Sequence, residues 1–110
     1  MPEQRYNGWS NYETWNVKLW MDNDEGSYNY WREQVQEVWE QEDHDLQNTI
    51  TRLADMLESE HKDNAPETCG VYADLLGAAL SEVNWYEIAE AMTNDEELKE
   101  DEAEEEEAEK

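Results

Sequence analysis

The sequence predicts an all-α protein: a compact bundle of about five short helices, followed by a disordered acidic C-terminal tail. Three observations carry this. Apolar residues recur at helical spacing in five successive segments, no segment alternates with period two over strand length, and β-branched residues are scarce. A chain of 110 residues has room for one core. Its six Trp and six Tyr bring the large apolar areas that disordered chains lack, offsetting a hydrophobic content of only 37%.

Ser10-Asn11-Tyr12-Glu13 fits an S-x-x-E capping box, in which Ser10 accepts from the Glu13 amide and the Glu13 carboxylate reaches back to the Ser10 amide. The first helix begins there. Tyr12, Trp15 and Leu19 form its stripe, Trp20 and Met21 widen it, and it stops near Asp22 ahead of the turn formers Asn23, Asp24 and Gly26. A second helix runs from about Ser27 to Glu42, with Tyr28, Trp31, Val35, Val38 and Trp39 on one stripe and Glu33, Glu37 and Glu40 on other faces. Leu46, Ile50, Leu53 and Leu57 mark a third, which ends near His61 and Lys62 before the breaker Asn64-Ala65-Pro66. The fourth, Val71 to Ser81, carries Tyr72, Leu75, Leu76, Ala79 and Leu80; as the least polar helix it is expected at the centre, the hub of the core. Asn84 and Glu87 signal a further cap, and Trp85, Ile88, Ala89 and Met92 stripe a short fifth helix. Spacing assigns Trp15, Trp31, Trp39 and Trp85 to the core and leaves Trp9, Tyr6 and Tyr30 off the stripes as interface candidates.

Charge divides the chain. With 31 Asp and Glu against 7 Lys and Arg, the net charge is −24. Residues 1–93, the expected helical domain, keep −15; residues 94–110 carry 11 acids, one Leu and no aromatic, which is the composition of a disordered tail. Such a balance excludes direct nucleic-acid binding, which runs on Lys and Arg, and disfavours anionic membranes. No apolar run approaches the ~20 residues of a membrane span. The start, MPEQRYNGWSNYE, lacks the basic and apolar regions of a secretory signal, so a cytoplasmic location is expected. Cys69 is the only cysteine, which rules out an intrachain disulfide.

Chemical motifs are absent. Asp22-Asn23-Asp24-Glu25-Gly26-Ser27 with Glu33 begins like a calcium loop, but Gly26 stands at its fifth position where an oxygen ligand is required, and Ser27 at the sixth where the turn needs Gly. The segment therefore reads as a turn joining two helices. His44 and His61 are 17 residues apart and form no metal-ligand pair. Cys69 beside Gly70 sits in negative potential, which opposes a reactive thiolate. No nucleophile elbow or phosphate-binding Gly loop occurs, so neither enzyme activity nor a cofactor or metal is expected.

Two stretches read as motifs: WSNYETWNVKLW with Asp22-Asn23-Asp24 behind it, and ADLLGAALSEVNW over residues 73–85. Together they resemble a family of short proteins of unassigned function found in bacteriophages, plasmids and some prokaryotic genomes. The resemblance covers most of residues 9–92 and brings no catalytic or ligand residues. It implies a mobile-element setting, where small acidic proteins often inhibit host defences.

The leading functional expectation is a nucleic-acid mimic that occupies the basic groove of a host nuclease, CRISPR effector, restriction complex or other nucleic-acid-binding protein. Duplex DNA carries one charge per ~1.7 Å, so the charge of residues 1–93 matches ~26 Å of duplex, close to the ~30 Å width of such a domain. The richest candidate face joins Asp22, Asp24 and Glu25 with Glu33, Glu37 and Glu40 of the second helix and Glu42, Asp43 and Asp45 of the following loop. The alternative is a general protein-interaction module whose acidity serves solubility or salt adaptation.

Overall fold

The computed structural model describes residues 6–96 and residue 98. Five helices follow in order: α1 Tyr12–Asn23, α2 Glu25–Gln41, α3 Leu46–Asn64, α4 Val71–Glu82 and α5 Trp85–Asp95. Among the described residues there is no strand, only an isolated antiparallel bridge between Tyr6 and Trp9. The all-α class and all five helices stand close to the bounds their stripes predict.

α3 against α5 makes the centre, with α2 laid on α3 and α1 beside α2. Leu53 and Leu57 of α3 meet Ile88 and Ala89 of α5 with no exposed surface, and Trp31, Val35, Val38, Ile50, Trp85 and Met92 close around them. Burial of each large side chain contributes roughly 1.5 to 3 kcal/mol. Trp31, Trp39 and Trp85 are the buried tryptophans the spacing called for. Trp15 is not one of them: it is half-buried, 4.8 Å from Tyr6 and 5.5 Å from Tyr12 between ring centroids. Trp9 also departs from expectation, packing half-buried against the core instead of standing free for an interface.

α4 is not the hub. It lies outside, packed chiefly on α1, and none of its residues is buried: Val71, Tyr72 and Leu75 are 60%, 69% and 62% exposed. Apolar residues run nearly all round α4, so its composition selects no face, whereas α3 and α5 carry narrow stripes opposite polar faces and take the few central positions a small domain offers.

The buried face of α1 is likewise different. Thr14, Lys18 and Met21 are inside, while Tyr12, Leu19 and Trp20 are exposed. Polar partners choose that face. The Lys18 ammonium lies 2.8 Å from Asp22 and 3.6 Å from Asp95, and the Thr14 hydroxyl accepts from the Asn84 amide at 2.9 Å while donating to Asn11 Oδ1 at 2.6 Å. A satisfied polar group can be buried where an unsatisfied one cannot.

The capping box at Ser10 does not form. Asn11 caps α1 by accepting from the Thr14 amide at 2.9 Å, and the Ser10 amide donates to Glu87 of α5 at 3.1 Å. Asn84 caps α5 by accepting from the Glu87 amide at 3.0 Å, and the Asn11 side-chain amide donates to the Glu82 carbonyl at 2.8 Å. The N-termini of α1 and α5 are thus each capped by their own Asn and tied to one another by hydrogen bonds, which accounts for the Ser, Asn and Thr of the first motif and the Asn of the second.

The boundary after Thr93 also moves. α5 continues to Asp95, Glu96 accepts from Arg32 at 2.9 Å, and Leu98 packs against the core. The rest of the expected tail, Glu97 and residues 99–110, lies outside the described residues.

Candidate interaction surface

The acidic surface follows from how the cations are spent. Among the described residues every Lys and Arg is held in an ion pair: Lys18 with Asp22 and Asp95, Arg32 with Glu96, Arg52 with Glu42, and Lys62 with Glu58. No such cation is left over to screen the remaining carboxylates.

The nine carboxylates expected on one face divide into three groups. Asp22 and Glu42 are neutralised by Lys18 and Arg52. Asp24 and Asp45 are N-caps, Asp24 accepting from the Gly26 and Ser27 amides and Asp45 from the Asn48 amide at 2.9 Å. The would-be calcium loop is accordingly a one-residue hinge, in which Asp24 ends α1 and starts α2. Glu25, Glu33, Glu37, Glu40 and Asp43 project into solvent. Of these, Glu33, Glu37 and Glu40 lie within about 60° of one another around the α2 axis, opposite the buried Trp31, Val35 and Val38. They form a row about 10 Å long, on a helix whose inner face is locked into the core. The outer face of α3, by contrast, mixes Asp55 and Glu58 with Arg52 and Lys62.

Two features border the row. On one side, an open groove between α2 and the end of α5 places Asp95 and Glu96 across from Glu33 and Glu40. The composition of residues 94–110 places Asp95 and Glu96 in the tail, and no local signal marks their partners Lys18 and Arg32. On the other side, the Tyr30 hydroxyl donates to both oxygens of Glu60, at 3.1 and 2.9 Å. Desolvation, the hydrogen bond and charge of Glu60 and the nearby charge of Glu37 all push the Tyr30 phenol above its ordinary value.

At the C-terminal end of the row, α2 stops in a left-handed turn. Asp43 and His44 both have positive φ, 57° and 61°. The Asp43 amide donates to the Glu40 carbonyl at 3.2 Å and the His44 amide to the Trp39 carbonyl at 2.9 Å, while the His44 ring stacks on Trp39 at 4.9 Å. This turn fixes Asp43 where a Gly is the usual choice.

Among the described residues, no group of three or more His, Cys, Asp or Glu is arranged to hold a metal ion. Cys69 is exposed in the loop before α4, and His61 lies between Trp31 and Trp85. No helix among the described residues is long and apolar enough to cross a membrane.

A small helical domain with an acidic row along the outer face of α2 is the class these features define. The chain belongs to a family of unknown function, DUF7249, whose model matches residues 2–108. No curated protein and no solved structure matches it.

Proposed function

We propose that the protein is a non-enzymatic, acidic binding protein of a phage or other mobile element. It acts in the cytoplasm, without a cofactor, as a nucleic-acid mimic that blocks the basic groove of a host defence protein or another nucleic-acid-binding protein. The observation that carries this reading is the row Glu33, Glu37 and Glu40 on the outer face of α2, in which, among the described residues, only Glu40 meets a basic side chain, the His44 ring at 3.5 Å. Its carboxylates are spaced about 6 and 4.5 Å along the axis, against ~3.4 Å per phosphate along one DNA strand. Glu25 and Asp43 continue the negative charge towards the two ends of a helix about 26 Å long. A rigid row of this density presents a basic groove with charges it already accommodates, and complementary potential speeds encounter.

A panel of purified nucleases, CRISPR effectors and restriction complexes tests the reading. Each is assayed for DNA binding with and without the protein, at low and high salt. Salt-sensitive loss of DNA binding by at least one member is expected; a panel left wholly unaffected at low salt would sink the idea.

The exposed apolar residues of α4 favour a second reading, an interaction module that binds through apolar contacts.

A further inference from the structure

We infer that the outer face of α4 is a docking surface for a basic amphipathic helix of a partner protein. Val71, Leu75 and Ala78 stand at i, i+4 and i+7 and are all exposed, with Tyr72 beside them. This is the spacing by which one helix offers anchors to an apolar surface. The four side chains make a contiguous exposed apolar strip, a feature that on a monomer is often functional.

Charge identifies the occupant. Residues 63–98 contain no Lys, Arg or His, and on the helix itself the patch is bordered by exposed Asp74 and Glu82, with exposed Glu67 in the loop before α4. Whatever covers it meets a carboxylate rim around an apolar strip. A second copy of this chain would bring another −24 to that rim, and like charges set together cost several kcal/mol. The chain's own remaining segments do not fit either, since residues 99–110 hold only two Ala as apolar residues and residues 1–5 only Met1 and Pro2. A helix with an apolar stripe flanked by Lys or Arg matches both features, its stripe on Val71, Tyr72, Leu75 and Ala78 and its cations against Glu67, Asp74 and Glu82. The surface uses none of the α2 carboxylates, so it stands apart from the mimic reading.

The test uses the full chain and a synthetic 14-residue Leu/Lys peptide with an apolar face. A peptide of the same composition, reordered to have none, is the control, and binding is measured by titration calorimetry at low and high salt. At high salt the amphipathic peptide should bind the wild type roughly tenfold or more tightly than the reordered one. The double variant Y72S/L75S, both positions being exposed, should keep its helical circular dichroism and lose that preference, whereas E33Q/E37Q/E40Q should keep it. Equal binding of the two peptides, or an undiminished preference in Y72S/L75S, overturns the proposal. So does sedimentation showing that the wild type self-associates and Y72S/L75S does not, which would make a second copy the occupant.

Discussion

Asp43 and Tyr30 show how single residues tune the acidic face. Asp43 holds a left-handed conformation that disfavours any side chain, and it adds a carboxylate next to Glu42 and Asp45. Replacing it with Gly relieves both terms while leaving the paired C-cap bonds in place. Denaturant unfolding of Asp43→Gly should show a gain of about 1 kcal/mol; a loss would mean that the Asp43 side chain supports the turn. Tyr30 gives a pH dependence. Its phenol is raised in the folded state, so the neutral form is favoured, and its contribution is complete below the ordinary tyrosine value near 10 and is lost as pH rises through the raised value. An absorbance titration should find one of the six tyrosines ionising late, a step that is absent from Tyr30→Phe and comes earlier in Glu60→Gln. Identical titrations of wild type and Glu60→Gln would remove Glu60 as a cause.

Elements differ in how far the sequence exposed them. The stripes of α3 and α5 are readable because their buried positions are apolar or small and the opposite face is polar; Leu46, which the period also puts on the α3 stripe, is the exception, 47% exposed in the first turn. The stripe of α1 does not match its buried face, because Thr14 and Lys18 are made tolerable inside by partners more than 60 residues away, Asn84 and Asp95, which no local pattern reveals. α4 was misplaced because apolar content measures the capacity for burial, and only the competition among helices decides which is buried. The acidic row was half legible: period alone puts Glu33, Glu37 and Glu40 opposite Trp31 and Val35, but it cannot tell that Asp22 and Glu42 are neutralised or that Asp24 and Asp45 are turned to helix amides. Two tryptophans separate the readings at this scale. Trp31→Ala should lose roughly 3 to 5 kcal/mol of stability, whereas Trp20→Ala, on the exposed face of α1, should stay within about 0.5. Equal losses in thermal or denaturant unfolding would contradict the assignment of the α1 faces.

The whole molecule is a balance between a small core and a charge of −24. Each described Lys and Arg is engaged in an intramolecular pair; three of the four join α1 to α5, α2 to the segment after α5, and the α2–α3 turn to α3, and the fourth, Lys62–Glu58, lies within α3. Among the described residues the last contacts of the body are those of Glu96 and Leu98. A chain ending at Leu98 should unfold at the same temperature or higher, because net negative charge is removed and no described contact is lost. A chain ending at Thr93 should lose about 1 to 2 kcal/mol with the Arg32–Glu96 pair and the Leu98 packing. Equal midpoints for the two truncations would return the boundary to Thr93.

The central claim is that the rigid charge on α2, rather than the charge of residues 99–110, holds a basic groove. It is tested most directly by competition for one such groove, with a labelled DNA displaced from a nucleic-acid-binding protein by wild type, by E33Q/E37Q/E40Q and by the chain ending at Leu98. Gln keeps helix propensity and volume nearly constant, so the triple variant reports charge. The account predicts weaker and less salt-dependent competition from the triple variant, and from the truncated chain near-wild-type affinity with a slower approach, since screened long-range attraction acts mainly on the encounter rate. The claim is falsified if the triple variant competes as well as wild type at low salt while the truncation abolishes competition.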